Sequence, residues 1–288
     1  MFAARYENEL GMIQFSGGGD SIFRTFKVVG LGPPSKESNV TGYAGQPGQF
    51  LLSEKDLPRT ITLSGDVTAP AMVHQELSRM IRILYHPGRL TIASGSRIRS
   101  INCRCTAFDD PEYHGRNIAS LVLQFTCDNP YFTDEKLRRV DLFYRKDLVQ
   151  SSFTLPCIFT ERIHRLEVIN AGDVQSEPII KVYNDYQKSG VSLFSKDYGV
   201  EIINHTTGQK ILLEREIISG ETITIDIPNR RITSDVAGDI TASISLNSFL
   251  SDFWLAVGKN DIEVVNYSTG ENIGVVMTYD NQYIEAVI

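Results

Sequence analysis

The chain has 288 residues, 42% of them hydrophobic, and no run of about 18 apolar residues, which predicts two packed domains and no membrane insertion. The formal net charge of −7 is unevenly divided, because residues 1–130 carry 13 Lys and Arg against 12 Asp and Glu, whereas residues 131–288 carry 15 against 23. Neither half has the basic surplus of a nucleic-acid-binding domain, so no sequence-specific nucleic-acid binding is expected.

The first half of the chain is dominated by alternating apolar and polar residues, which are typical of strands with one buried face. The first ten residues lack the apolar core of a secretory signal, so we expect the protein to fold in the cytoplasm. The predicted strands of this half cover residues 11–15, 22–29, 59–67, 98–107 and 117–127.

One segment after the third of these strands follows a helical period instead. Its apolar stripe consists of Val73, Leu77, Met80, Ile81 and Leu84. The helix should end just before Pro87, because a residue preceding proline disfavours helical geometry. We expect the stripe to pack on the N-terminal sheet.

Residues 31–58 form a polar segment rich in glycine and proline, which is too long for an ordinary hairpin connection. The segment is either without regular structure or an extended arm that docks on a partner. Its apolar residues favour docking, since a purely solvated loop has no need of them. We therefore predict intersubunit contacts at Tyr43, Phe50, Leu51 and Leu52.

Charge density rises and alternation is lost near residues 133–157, which we interpret as a linker between domains at 1–132 and 158–288. Beyond it, turn residues recur about every 8–12 residues, a spacing typical of a β-sandwich. The short strands predicted there cover residues 163–169, 179–183, 191–194, 200–204, 210–213, 222–227, 240–246, 253–257, 262–267, 274–278 and 283–287.

Few residues are arranged for catalysis or metal binding. Cys103 and Cys105 should lie on one face of a strand, but no second pair of zinc ligands stands at a suitable spacing, and free cysteine is usually a core residue. The sequence contains no phosphate-binding loop, no nucleophile elbow and no zinc-protease motif. We expect no enzymatic activity and no catalytic, cofactor-binding or metal-binding residues.

Three stretches, taken in chain order, form a characteristic series. The first joins the strand 58–65 to the helix 77–84 and the strand 89–92; the second is 121–132, LVLQFTCDNPYF; the third comprises 203–208, 222–226 and 255–262. This series resembles the distal tail protein family of long-tailed bacteriophages and phage-tail-like particles. The resemblance covers almost the whole chain and depends on the order of the elements.

The resemblance implies a mainly β protein. Its N-terminal domain would be a β-sandwich or split barrel with one helix and a protruding arm, the belt, and its C-terminal domain a galectin-like β-sandwich. Either residues 31–58 or the hairpin 97–126 would be the belt.

The resemblance also implies a structural role in the virion tail, assembled in the bacterial host cytoplasm. A homo-hexameric ring would join the tail tube protein to the tail hub, spike or tail-associated lysin. The ring would also carry receptor-binding or baseplate proteins.

An alternative interpretation is a carbohydrate-binding module of a tail or cell-surface assembly, with Trp254 and nearby tyrosines as a stacking platform. The two interpretations differ in oligomeric state, because a ring predicts a hexamer whereas a lectin module predicts a monomer. The C-terminal domain has no evident set of sugar-binding residues, so lectin activity is not carried over from the resemblance.

Overall fold

The computed structural model describes residues 2–16, 22–45, 47–69, 73–147, 160–184, 199–218, 220–267 and 273–286. The chain divides into two compact units: unit 1 is Met1–Glu135 with Gln282–Ile288, and unit 2 is Lys136–Asn281. Each unit has its own hydrophobic core. No helix within the described ranges is long and apolar enough to cross a membrane.

Unit 1 is built mainly from strands, with one helix, α1 (Val73–Leu84), between the sixth and seventh. Its strands in chain order are β1 (Phe2–Asn8), β2 (Gly11–Ser16), β3 (Phe23–Val29), β4 (Lys36–Thr41), β5 (Phe50–Asp56), β6 (Arg59–Thr68), β7 (Gly88–Ser94), β8 (Arg97–Phe108), β9 (Glu112–Tyr113), β10 (Ile118–Cys127) and β11 (Phe132–Thr133).

Seven of these strands close into a barrel in the order β8-β7-β1-β2-β3-β6-β10, because β10 also pairs with β8. The pairs are antiparallel except β2 and β3, which meet in parallel only at Phe15–Phe23 and Ser16–Arg24. In β6 every second residue is buried, from Arg59 to Val67, as its alternating sequence predicts.

Helix α1 packs against β2 and β6 and buries most of its predicted stripe. Ile81 is the exception, since 47% of it is exposed, and Ile83 is buried in its place. These two residues lie on opposite edges of the stripe. The Ile83 edge faces the turn between β1 and β2, where Ile83 packs on Gly11 and the Asn8 amide donates a hydrogen bond of 2.7 Å to the Ile83 carbonyl.

Unit 2 is a β-sandwich whose two sheets share one core. One sheet has the order β13-β12-β22-β15-β18-β19-β20 and the other β14-β21-β16-β17. The strands are β12 (Arg138–Asp147), β13 (Thr160–Ile163), β14 (Arg165–Asn170), β15 (Ile179–Asn184), β16 (Val200–Asn204), β17 (Gln209–Leu213), β18 (Thr222–Asp226), β19 (Arg231–Ser234), β20 (Gly238–Asp239), β21 (Gly258–Asn266) and β22 (Ile273–Tyr279).

The limits of the two units differ from the expected linker and domain bounds. Strand β12 occupies part of the expected linker 133–157 and pairs with β22, and its charged residues Arg138, Arg139 and Asp141 are exposed whereas Leu142 is buried. The last strand, β23 (Gln282–Tyr283), pairs with β11 and therefore belongs to unit 1 rather than to the expected domain 158–288. Residues 148–159 lie outside the described residues.

Two predicted strands of the second half have another structure. Residues 240–246 contain a 3-10 turn at Thr241–Ser243, and residues 253–257 make a single bridge, between Ser176 and Leu255. Phe253 and Leu255 are buried in the core, and Ile240 and Ile244 pack against it, without a hydrogen-bonded ladder; a period of two does not reveal this difference. The predicted strand at 191–194 lies outside the described residues.

Candidate functional site

Strands β4 and β5 form a hairpin that, within the described residues, pairs only with itself. Its register runs from Lys36 opposite Asp56 to Thr41 opposite Phe50. All side chains of β4, and all of β5 except the half-buried Asp56, are exposed. We call residues 31–58 the arm. A hairpin of two strands without a buried face is marginally stable in water, which agrees with the prediction that the arm docks on another surface.

The four predicted contact residues lie in the outer half of the arm. Tyr43, Phe50, Leu51 and Leu52 are 67%, 53%, 60% and 62% exposed. The rings of Tyr43 and Phe50 meet edge to face with centroids 5.7 Å apart. Val40 was not among the predicted contact residues, but it lies opposite Leu51 and is 43% exposed.

A register shift between Asn39 and Val40 leaves Leu52 at a bulge of β5. A bulge redirects the side chains of its strand, so the consecutive residues Phe50, Leu51 and Leu52 do not alternate cleanly between two faces. The arm therefore offers a compact apolar patch made of Val40, Tyr43, Phe50, Leu51 and Leu52, which we call the arm patch. Contact of the arm patch with another subunit stays a prediction.

The stem of the arm is polar. The Lys36 ammonium lies 2.7 Å from a Glu54 carboxylate oxygen, and this hydrogen bond raises the pKa of Lys36. Both side chains are exposed, and such pairs contribute little to stability. The backbone N–H of Leu57 donates to the Ser35 carbonyl at 2.8 Å, which closes the base of the hairpin.

The arm is anchored at its root by the buried guanidinium of Arg59, which is 4% exposed. Four carbonyl oxygens accept its hydrogen bonds: those of Gly30 (3.0 Å), Gly32 (2.5 Å), Pro130 (2.7 Å) and Ile284 (2.7 Å). The guanidinium carbon (Cζ) of Arg59 also lies 4.4 Å from the centre of the Phe132 ring. Burial lowers the pKa of Arg59. Because Gly30 precedes the arm, Gly32 lies at its start and Arg59 follows it, one side chain ties both ends of the arm to unit 1.

Three further contacts fix the same root. Gly30 has a φ of +95°, and a Cβ there would lie 2.1 Å from the Thr60 carbonyl oxygen, so the close approach requires glycine. The Tyr131 hydroxyl donates to the Asp56 carboxylate at 2.5 Å. The Ala286 N–H donates to the Leu31 carbonyl at 3.0 Å. A rigid root therefore carries an exposed hairpin.

The other candidate for the belt, the hairpin 97–126, lies in the barrel. Its strands β8 and β10 are wall strands, and β9 pairs with β10 at Tyr113 and Glu112. Both strands of this hairpin are therefore paired within the barrel wall, whereas the strands of the arm, among the described residues, pair only with each other.

Trp254, the centre of the carbohydrate-binding alternative, is half-buried in unit 2. Its carbonyl accepts a hydrogen bond of 3.0 Å from the buried Asn204 amide, which also contacts the buried Asn260. The more exposed apolar residues nearby are Leu246 (93%) and Phe249 (60%). Trp254 therefore does not present a flat and open aromatic platform.

The cysteines of unit 1 are core residues. Cys103 is 7% exposed and Cys105 is half-buried, and the thiol of Cys103 hydrogen-bonds Cys127, a neighbour that the sequence did not reveal. In the part of the chain that the structure describes, no three His, Cys, Asp or Glu side chains are placed to hold a metal ion.

Comparison with known proteins gives a match to one family model. Residues 172–283 match the family model of the siphovirus-type tail component, C-terminal domain. No curated protein sequence matches the chain significantly.

Among solved structures, the Dit protein of phage SPP1 is similar over 97% of this chain and 99% of its own, with a TM-score of 0.66 and 13% identity. The activated baseplates of phage P2 with calcium and with strontium each contain a chain similar over 96% of this one and 97% of its own, with a TM-score of 0.52 and 11% identity. The family match over residues 172–283 and the fold shared with the SPP1 Dit protein support the resemblance to the distal tail proteins that the sequence shows.

Proposed function

We propose that this protein is a structural hub of a phage tail, a distal tail protein that assembles into a homo-hexameric ring. The ring joins the tail tube to the central hub, spike or tail-associated lysin, and it carries receptor-binding or baseplate proteins. The SPP1 Dit protein, described as a paradigm of the hub adsorption apparatus in phages that infect Gram-positive bacteria, shares the fold over nearly its whole length. The tail component family of residues 172–283 supports the same role.

The observation that carries the proposal is the exposed arm on a rigid root. Burial of apolar area contributes roughly 25 cal/mol per Å², and the arm patch exposes five large side chains that unit 1 does not cover. A neighbouring copy supplies the missing surface. A head-to-tail contact of this kind repeats around a closed ring.

Unit 1 also offers surface that can receive the arm of a neighbour. Apart from the arm, it exposes Phe26 (66%) and Val29 (52%) on β3, and Ile81 (47%) with Tyr85 (83%) at the end of α1. These residues are the first candidates for the receiving face.

The test compares the molar mass of the intact chain with that of an arm-replacement variant by size exclusion with light scattering. Lys36 and Asp56 lie opposite each other, so replacing residues 37–55 by Asn-Gly leaves a tight hairpin and an intact root. We expect a hexamer for the intact chain and a folded monomer for the variant.

The control is Leu246→Ser, which removes an even more exposed apolar side chain from unit 2 and should leave the hexamer unchanged. A variant that stays hexameric at dilute concentration contradicts the role of the arm. A monomeric intact chain that binds sugars would favour the carbohydrate-binding alternative.

A further inference from the structure

The barrel of unit 1 is closed by its shortest antiparallel seam, between β8 and β10. Only four residue pairs connect these strands, and a bulge interrupts them between Gln124 and Phe125. The last pair places Thr126 opposite Arg104. One step further along, the same register places Cys127 opposite Cys103.

The two thiols meet on one face of the seam. Residues directly opposite in an antiparallel pair have Cα atoms about 4.5 or 5.5 Å apart, and disulfides span Cα separations of about 4.4–6.8 Å. Both side chains are buried in the hydrophobic core of unit 1, so the two thiols lie on the same side of the seam. Bond formation therefore needs a small closure of the seam and no rearrangement of the barrel.

A path for a small reagent leads to this pair. Cys103 lines a cavity of about 860 Å³, open to solvent, together with Leu10, Pro87, Arg104 and Asp128. Cys127 is fully buried behind Cys103, so a large reagent cannot reach it.

We propose that Cys103 and Cys127 are a modification site for small hydroperoxides, which convert the pair into a disulfide that closes the β8–β10 seam. The thiolate of one cysteine of the pair attacks one peroxide oxygen, which forms a sulfenic acid and releases hydroxide. The thiol of the other cysteine then attacks the sulfenic sulfur; its proton and the departing hydroxide leave as water. Two thiols and one hydrogen peroxide thus give one disulfide and two waters.

The disulfide would also secure the arm root. Cys127 ends β10 opposite Arg59, and the next residues of the chain lead to Pro130 and Tyr131, which hold Arg59 and Asp56. This chemistry stands independently of the proposed function. The proposed function explains only when the oxidation would occur, since a virion leaves a reducing cytoplasm for an oxidising medium.

The test uses the full chain, purified reduced and then treated with hydrogen peroxide at near-stoichiometric amounts. Alkylation and intact mass should show a fall from four free thiols to two and the loss of two hydrogens, both reversed by dithiothreitol. Peptide mapping without reductant should recover Cys103 joined to Cys127. A link to Cys105, or four intact thiols in the folded protein, would overturn the proposal.

The matched variants separate the pair from its neighbour. Cys105→Ser should still form the link, whereas Cys103→Ser should abolish it. If Cys103→Ser does not fold, thermal unfolding of the oxidised and reduced natural chain decides. We expect the oxidised form to melt several degrees higher, because the closed seam constrains the unfolded chain; equal melting temperatures would contradict closure of the seam.

Discussion

The consecutive strands β5 and β6 are separated only by Leu57 and Pro58, yet they have opposite environments. Every second side chain of β6 is buried in the barrel, whereas every side chain of β5 except Asp56 is exposed. The two strands differ in their neighbours, because β6 has a strand on each side whereas β5, among the described residues, pairs only with β4. A strand without a covered face remains exposed in the single chain.

The direction of the arm has a different physical origin from the stability of the barrel. The arm has no core of its own, so its direction is set at the root, where Arg59 begins β6 and binds carbonyls on the other side of the arm. The barrel therefore stabilises itself by apolar packing, whereas the arm is oriented by a buried polar cluster. The predictions below test the two mechanisms separately.

The largest effect on stability is expected in the packed frame of unit 1. Leu77 of α1 is 2% exposed, so Leu77→Ala should lower the free energy of unfolding by about 2–5 kcal/mol. Ile81→Ala on the same helix is the control, since Ile81 is 47% exposed and its loss should cost about 0.5 kcal/mol or less. Reversible denaturant unfolding measures both, and similar losses for the two would show that the stripe faces a partner instead.

A smaller but more specific effect is expected at the arm root. Arg59→Met leaves four carbonyl oxygens without their donor, and an unsatisfied buried group costs about 1–3 kcal/mol. We therefore expect the free energy of unfolding to fall by about 1–3 kcal/mol. Distances between spin labels on the arm and on β8 should broaden in Arg59→Met. A narrow, unchanged distribution would mean that the arm is oriented by other contacts.

The sequence predicted the barrel better than it predicted the arm root. Alternation locates a strand when one face is buried, as in β6, but the exposed β4 and β5 have no such pattern and lay inside a predicted connection, 31–58. The four apolar residues of the arm that were named from the sequence are exposed, as docking on a partner requires, and their contact with another subunit stays a prediction.

Arg59 was not predictable as the anchor. Its acceptors are backbone carbonyls, which have no sequence signature, and they lie 27 to 225 positions away in the chain. The same holds for the pairing of Cys103 with Cys127, which depends on the register of β8 and β10 rather than on spacing. Both the Arg59 anchor and the cysteine pair therefore depend on contacts and strand register that form only in the folded chain.

The alkaline range offers a finer test of the root. Burial, followed by the hydrogen bond to Asp56, raises the pKa of Tyr131 from 10.0 to about 12. The folded state thus keeps the proton longer than the unfolded state, so the contribution of Tyr131 is complete below pH 10 and is lost as the pH rises toward 12. The melting-temperature difference between the natural chain and Tyr131→Phe should be constant up to about pH 10 and shrink above it.

The control for this measurement is Tyr85→Phe, which removes a hydroxyl from a residue that is 83% exposed. It should leave the melting temperature at each pH unchanged. A difference for Tyr131→Phe that does not vary across the alkaline range would place the Asp56 contact outside the stabilising interactions of the root.

The smallest effect on the single chain is expected in the arm patch itself. Phe50 and Leu51 are 53% and 60% exposed, so Phe50→Ser with Leu51→Ser removes almost no buried apolar area from the monomer. The free energy of unfolding, measured in urea at a concentration where the chain is monomeric, should change by about 0.5 kcal/mol or less. The same double variant should lower the molar mass at higher concentration, because the removed side chains are those that a neighbouring copy would bury. A loss of more than about 1 kcal/mol in the monomer would mean that the arm packs on its own chain, and the contrast between β5 and β6 would then vanish.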